Sequence, residues 1–359
     1  MLKTTGEGTS SMEKPPLQFL YLILDDWALG YNIRKVDVSC NDHDLLDDCA
    51  FGYSIRKVNV SSDDPDLLLL NGMARESAVC LPSPIFRLKA RRFLNFIPRH
   101  MDRFRPIYFS IGSRLFVLGS SSFEVIDLQP IDNPSSQLDS LSWCKLQDAP
   151  FHSAEVVSYA ILPDKQTIFA SVGLITNNAT YSFQMADDIE GGSPTWKRIG
   201  EWVLPFYGSG YFDSALNAWV GLSMYSLETG RICACNLVPA NSNSVDCPTW
   251  KFSKENLFSN DPTETHVGAT LVYMGHDSRF CLLECVIVYY KYRVRSYNFK
   301  EKDVYPQAFR YMYRVTTFSL KYDNNGDLTT GDSRRVRYYK APKKEVTRYL
   351  CESPVVFWM

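Results

Sequence analysis

The chain has 359 residues and a mass of 41.1 kDa, enough for one large domain or two ordinary ones. Apolar residues make up 45% and charged residues 22%, a globular balance that excludes global disorder. The formal net charge of -2, from 38 basic and 40 acidic residues, excludes a nucleic-acid or acidic-membrane binder acting through bulk charge but not through a local patch. The longest apolar run, 17–24 broken by Gln18, is too short to span a bilayer. The polar segment 1–16 carries no apolar signal region, so the expected location is the cytosol or nucleus, not the secretory route.

The first strand pattern lies at 19–24 and runs into a near-identical tandem repeat. Asp25-Asp26-Trp27-Ala28-Leu29-Gly30-Tyr31-Asn32-Ile33-Arg34-Lys35-Val36-Asp37-Val38-Ser39 returns as Asp47-Asp48-Cys49-Ala50-Phe51-Gly52-Tyr53-Ser54-Ile55-Arg56-Lys57-Val58-Asn59-Val60-Ser61. Such identity over a short period marks a recent duplication. Only one copy can fill a given strand position, so the other must loop out or add an edge strand, which would be an aggregation liability. A second strand is expected at 55–60. The stretch 25–66 holds ten aspartates but lacks the D-x-D-x-D-G spacing of a calcium loop. Asp25-Asp26 and Asp47-Asp48 therefore read as solvated acidic loops rather than paired catalytic carboxylates.

A basic bridge follows over 86–105, where Arg87, Lys89, Arg91, Arg92, Arg99, Arg103 and Arg105 alternate with Phe86, Phe93, Phe96 and Phe104. Beyond it the chain repeats. Ser142-Trp143, Thr195-Trp196 and Thr249-Trp250 set a tryptophan after a hydroxyl residue at nearly equal intervals. Upstream, Tyr108, Tyr159 and Tyr211 recur within strand patterns at almost the same interval. Each unit adds two short apolar runs between tyrosine and tryptophan: 115–118 and 123–126, 168–172 and 181–183, 219–222 and 232–235. Each unit thus reads as four short strands divided by Gly, Ser, Asn, Asp and Pro.

A fourth unit has strands at 269–273, 280–290, 313–320 and 336–339, with a turn signal at Asn324-Asn325-Gly326-Asp327. An inserted loop rich in tyrosine and basic residues spans 289–313. A less regular N-terminal unit makes a fifth. A repeat of kelch length, about 50 residues, with four strands per unit is the pattern of a β-propeller. The expectation is one all-β domain over 17–359, with five to six blades of four antiparallel strands and room for one incomplete blade.

The motifs Trp196-Lys197-Arg198-Ile199-Gly200-Glu201-Trp202, Gly210-Tyr211-Phe212-Asp213, Ala218-Trp219-Val220-Gly221-Leu222-Ser223 and Tyr313-Arg314-Val315-Thr316-Thr317-Phe318 carry a resemblance. They resemble the domain-of-unknown-function 1668 family of grass proteins, itself similar to kelch-type propellers. The resemblance implies that fold and brings no catalytic set with it. Two departures stand out. Family members carry one copy of the duplicated segment, and they carry extra strand-forming sequence between the regions of Pro84 and Arg105.

Ten cysteines are scattered through the chain. Cys233 and Cys235, like Cys281 and Cys285, have even spacing that puts each pair on one face of a strand. Neither pair forms C-x-x-C or has a histidine partner set for zinc, so reduced, buried thiols are expected. The five histidines, His43, His100, His152, His266 and His276, show no metal spacing. His276-Asp277 would be a general base with its carboxylate only if neighbours on a turn faced together. Gly208 and Gly210 read as a hairpin turn between strands. A second basic cluster, Arg334, Arg335, Arg337, Lys340, Lys343, Lys344 and Arg348 around Tyr338 and Tyr339, reads as the wet face of strands rather than an RNA surface.

No Walker loop, nucleophile elbow or dinucleotide fingerprint occurs in the sequence. The expected function is a non-enzymatic scaffold for an unknown protein partner, without cofactor or metal, with the tyrosine-rich 289–313 loop as contact element. The alternatives are a propeller hydrolase with a channel site, for which Asp213 is the one carboxylate beside the inner-strand patterns, and a degenerate paralogue without retained activity.

Overall fold

Short β-branched and aromatic runs, interrupted by turn residues, pair mostly with their neighbours in sequence and build five sheets and one small hairpin among the described residues, the largest an eight-stranded sheet whose two four-stranded halves are labelled IV and V below. The computed structural model describes residues 20–26, 30–36, 53–54, 56–57, 68–69, 85–87, 92–94, 106–111, 114–120, 122–127, 142–163, 167–174, 177–185, 194–236, 247–275, 277–291, 307–341 and 354–358. No α-helix occurs among them, and the only helical turns there are short 3-10 segments such as Ser153–Glu155 and Ser226–Glu228. The fold is all-β, with mainly antiparallel pairing. The expected polar tail at 1–16 lies outside the described residues.

Sheet I joins the two ends of the chain: Val355–Trp358 pairs with Leu20–Asp26, which pairs with Gly30–Val36, which pairs with Arg56–Lys57. Sheet II has three strands, Leu68–Leu69, Ile85–Arg87 and Arg92–Leu94. Part of the basic bridge is therefore a hairpin, closed at Arg87↔Arg92. Sheet III is the meander Ile107–Ile111, Arg114–Leu118, Phe123–Asp127 and Cys144–Lys145. Sheet IV is Val156–Ile161, Thr167–Leu174, Asn177–Gln184 and Trp196–Gly200, and sheet V is Phe206–Asp213, Ala218–Ser223, Ile232–Asn236 and Trp250–Phe252. Sheet VI is Glu264–Tyr273, Arg279–Lys291, Gln307–Ser319 and Arg335–Lys340. Tyr53–Ser54 lies parallel to its outer strand.

Consecutive sheets share cores, because strand alternation sends successive side chains to opposite faces. In Thr167–Leu174, Ile168, Ala170 and Val172 pack with Phe116, Leu118 and Phe123 of sheet III, while Phe169 turns to Trp219 of sheet V. In sheet V, Ala218 and Val220 pack with Phe280 and Leu282 of sheet VI. Cys281, Leu283 and Cys285, on the other face of sheet VI, meet Leu20, Leu22 and Val356 of sheet I. Each Val, Leu, Ile or Phe side chain fully buried this way contributes about 1.5–3 kcal/mol. Cys281 and Cys285 do share a face, and both are free thiols, as are the buried Cys233 and Cys235. Burial pushes the Cys235 and Cys281 thiols up to about 12.

The repeated tryptophans have one structural address. Trp196 and Trp250 open the outermost strands of sheets IV and V, and Trp143 immediately precedes that of sheet III. Trp196 fills the space between Phe123, Phe151 and Phe183, with ring centroids 5.2 to 5.3 Å away.

One expectation needs correction. Gly208 and Gly210 are not a hairpin turn; both lie inside the innermost strand of sheet V, Phe206–Asp213. Gly208 holds φ +71° at a bulge, a Cβ at Gly210 would sit 2.3 Å from the Phe206 ring, and a Cβ at Gly221 on the next strand would sit 2.4 Å from the same ring. Of the two copies, Gly30–Val36 fills the place beside Leu20–Asp26 and Arg56–Lys57 adds an edge to it; residues 55 and 58–60 of the strand expected at 55–60 lie outside the described residues.

Candidate interaction site

The two middle strands of sheet VI pair without interruption from Arg279↔Ser319 to Lys291↔Gln307. At about 3.4 Å per residue, their 13 residues make the longest hairpin among the described residues. The inner strand stops supporting it at Glu264↔Val288, and the outer strand stops at Met312↔Lys340. The pairs Tyr289↔Phe309, Tyr290↔Ala308 and Lys291↔Gln307 lie beyond both. There Tyr289 is 42% and Phe309 56% exposed. Phe309 meets Tyr311 edge-on at 5.8 Å, and Tyr311 packs on the cluster that holds the buried Tyr313. Alternate residues of one strand thus carry aromatic surface from the core out to the projecting end. Residues 292–306 of the expected loop lie outside the described residues.

The middle of this hairpin is fixed by a buried ion pair that sequence reading missed. Glu284 and Arg314 are direct cross-strand partners, and Arg314 donates to Glu284 Oε2 at 2.9 Å and to the Leu257 carbonyl at 2.6 Å. The Ser259 N–H donates to the same carboxylate at 3.0 Å, and His266 Nδ1 lies 3.0 Å from Oε1. The His266 ring stacks on Phe258 with centroids 4.0 Å apart. The segment linking sheets V and VI is thereby clamped to the hairpin. A lone glutamate inside the apolar run Cys281-Leu282-Leu283-Glu284-Cys285-Val286 was the available signal.

The innermost strands of sheets IV and V pair in parallel, Tyr159 opposite Ser209. Burial raises the pKa of both Tyr159 and Tyr211, each of which shares a hydrogen bond with Ser209. Asp213 is buried, accepts from the Leu216 N–H at 2.9 Å and from Ser278 Oγ at 2.8 Å, and so ties sheet V to the first hairpin of sheet VI. Tyr159 and Tyr211 are thus held through Ser209, and Asp213 serves as a structural carboxylate between sheets V and VI.

The remaining sequence candidates scatter. His152 is exposed, with Nδ1 against the Ser120 carbonyl. Asp277 is exposed on a turn at φ +53°. His43, His100, His276, Asp47, Asp48, Lys89, Arg91, Arg99, Arg103, Arg105, Lys343, Lys344 and Arg348 lie outside the described residues. Arg334 donates to the Asn256 carbonyl at 3.2 Å, and Arg335 is exposed on the outer strand of sheet VI. An open groove of about 490 Å³ at the outer edge of sheet IV is lined by Arg198, Glu201, Trp202 and Cys247 among others. No group of His, Cys, Asp and Glu among the described residues is arranged to hold a metal ion. No helix among them is long and apolar enough to cross a membrane.

Stacked four-stranded sheets with an aromatic hairpin reaching past them define an all-β protein of repeated units. The chain belongs to the family described as protein of unknown function (DUF1668), whose profile matches residues 17–339. No curated protein and no solved structure matches it.

Proposed function

We propose that the chain is a non-enzymatic, kelch-like β-propeller scaffold that holds a protein partner on the projecting hairpin of sheet VI. Sheets I to VI are its six blades, sheet II being described through three strands. Shared cores running III to IV, IV to V, V to VI and VI to I support this, as does the last strand lying in the first sheet. The observation that carries the partner role is the exposed Tyr289/Phe309 pair on a hairpin end that neither flanking strand covers. Large, rigid aromatic side chains on a stiff ribbon lose little conformational freedom on binding, which is what an interface anchor requires.

What weighs against a hydrolytic channel site is that Asp213, the inner-strand carboxylate, is spent on Leu216 and Ser278. The reading places the chain in the cytosol or nucleus, and the six described cysteines are all free thiols. The test is affinity capture with the wild-type chain and with a Tyr289→Ala/Phe309→Ala variant of unchanged thermal midpoint. A partner retained by the first and lost at least tenfold by the second supports the reading. A partner set indifferent to both substitutions refutes it.

A further inference from the structure

Among the described residues, the indole N–H groups of Trp196, Trp202 and Trp219 are buried without a hydrogen-bond partner. An indole nitrogen can only donate, and a donor shut away from both water and protein is destabilising as long as it stays unmet. Of the three, only Trp202 lines the open groove of about 490 Å³ at the outer edge of sheet IV. That volume lies in the range of small-molecule sites.

The groove is built by the run that leads from sheet IV into sheet V. Arg198, Ile199 and Gly200 end the outermost strand of sheet IV, Glu201 and Trp202 follow directly, and Cys247 completes the lining. Sheet IV pins this run from its middle strands. Thr180 Oγ1 donates to the Trp202 carbonyl at 2.6 Å, and the Leu204 N–H donates to Ser171 Oγ at 3.0 Å. The Trp202 side chain packs in one cluster with Ile199, Phe206, Trp219 and Cys235. Its nitrogen edge lies against Gly200, where a Cβ would come within 2.1 Å of Nε1. A glycine is what that close approach requires.

The rest of the lining is charged. Arg198 donates to Glu201 at 3.3 Å, and the two side chains are 50% and 83% exposed. An exposed pair three residues apart contributes little stability, so it gives way readily to other partners.

We propose that this groove binds a free α-amino acid with an apolar side chain, as its zwitterion. The carboxylate accepts from Arg198 and from Trp202 Nε1, the ammonium donates to Glu201, and the apolar side chain lies on Ile199 and the indole. Three features select that chemistry. The unmet N–H needs an acceptor, and Arg198 favours an anionic one. Glu201, beside it, repels a simple anion and favours a ligand that carries a cation next to its carboxylate. Nε1 is shielded in the free chain, so the ligand reaches it by parting the exposed Arg198–Glu201 pair, and one ion pair is exchanged for two. No lining residue belongs to the projecting hairpin of sheet VI, so the two sites stand or fall separately.

The test is titration of the full chain, followed by ligand-detected saturation-transfer NMR. The probes are L-phenylalanine, hydrocinnamate, which lacks the ammonium, and phenethylamine, which lacks the carboxylate. L-phenylalanine is expected to bind with a Kd of about 1 mM or tighter, and each analogue at least tenfold more weakly. Trp202→Phe keeps a ring and removes the N–H, and it should weaken L-phenylalanine by about tenfold. Because that change touches the core, two substitutions of exposed side chains accompany it. Arg198→Ala and Glu201→Gln should each weaken L-phenylalanine by about tenfold, while Lys197→Ala, exposed on the same strand, leaves it unchanged. No transfer from L-phenylalanine at about ten times the expected Kd overturns the proposal. So does hydrocinnamate binding as well as L-phenylalanine, or binding that survives Arg198→Ala.

Discussion

Arg314 meets Glu284 across neighbouring strands with its guanidinium 2.9 Å from Oε2, and both side chains are at most 5% exposed. The pair sits midway along the long hairpin of sheet VI, and the same carboxylate holds Ser259 and His266. A buried ion pair is a poor source of net stability, because desolvation of both charges offsets their attraction. Breaking it is another matter.

Arg314→Ala leaves the Glu284 charge buried without its cation and frees the Leu257 carbonyl. The expected loss is about 3–5 kcal/mol, read as a lower urea midpoint by tryptophan fluorescence. Replacing both, as Glu284→Met with Arg314→Leu, removes the charges together and is expected to recover most of that loss. If the double variant is as unstable as the single one, the pair is not the cause.

The pairing of the last strand with the first can be tested in the same way. Val355–Trp358 pairs with residues 20–23, Val356 is buried against Leu22 and Leu283, and Thr270 Oγ1 donates to the Pro354 carbonyl at 2.6 Å. Deleting 354–359 removes that seam. We expect a loss of at least about 2 kcal/mol from the exposed apolar side chains. Hydrogen exchange should accelerate in Leu20–Asp26 and Glu264–Tyr273 together while Thr167–Leu174 stays protected. Unchanged protection in both would mean that the two ends of the chain do not brace each other.

Local pattern revealed the units, and tertiary pairing hid the rest. Trp143, Trp196 and Trp250 were legible because each marks the same strand of successive sheets, and at Trp196 the indole fills the space between aromatic layers. Val355–Trp358 gave no such signal; its partner strand, Leu20–Asp26, lies at the opposite end of the sequence, so nothing local identifies it. Glu284 and Arg314 are far apart in sequence and become one site only through the register of two strands. Gly208 and Gly210 resemble turn residues in sequence, yet Gly210, together with Gly221 of the next strand, lets the Phe206 ring lie against two backbones.

One surface turn carries a clean electrostatic signature. The turn foreseen at Asn324-Asn325-Gly326-Asp327 closes the small hairpin of Lys321–Tyr322 and Leu328–Thr329. Asp323 Oδ1 accepts from the N–H groups of Asn325 and Asp327, both at 2.9 Å, and Lys254 donates to its other oxygen. The Lys254 hydrogen bond, followed by that from the Asp327 backbone, holds the Asp323 carboxyl down to about 2. A carboxyl depressed in the folded chain adds stability above its unfolded value, and that stability is lost as pH falls through the folded one. Asp323→Asn keeps the acceptor for the two backbone donors and removes the charge. Wild type should therefore exceed the variant in urea midpoint by a constant gap above about pH 5, and the gap should close between about pH 4 and pH 2. High salt should shrink it at neutral pH, since the pair is exposed. A gap that persists unchanged at about pH 2 would show that the turn geometry, and not the charge on Asp323, accounts for the difference.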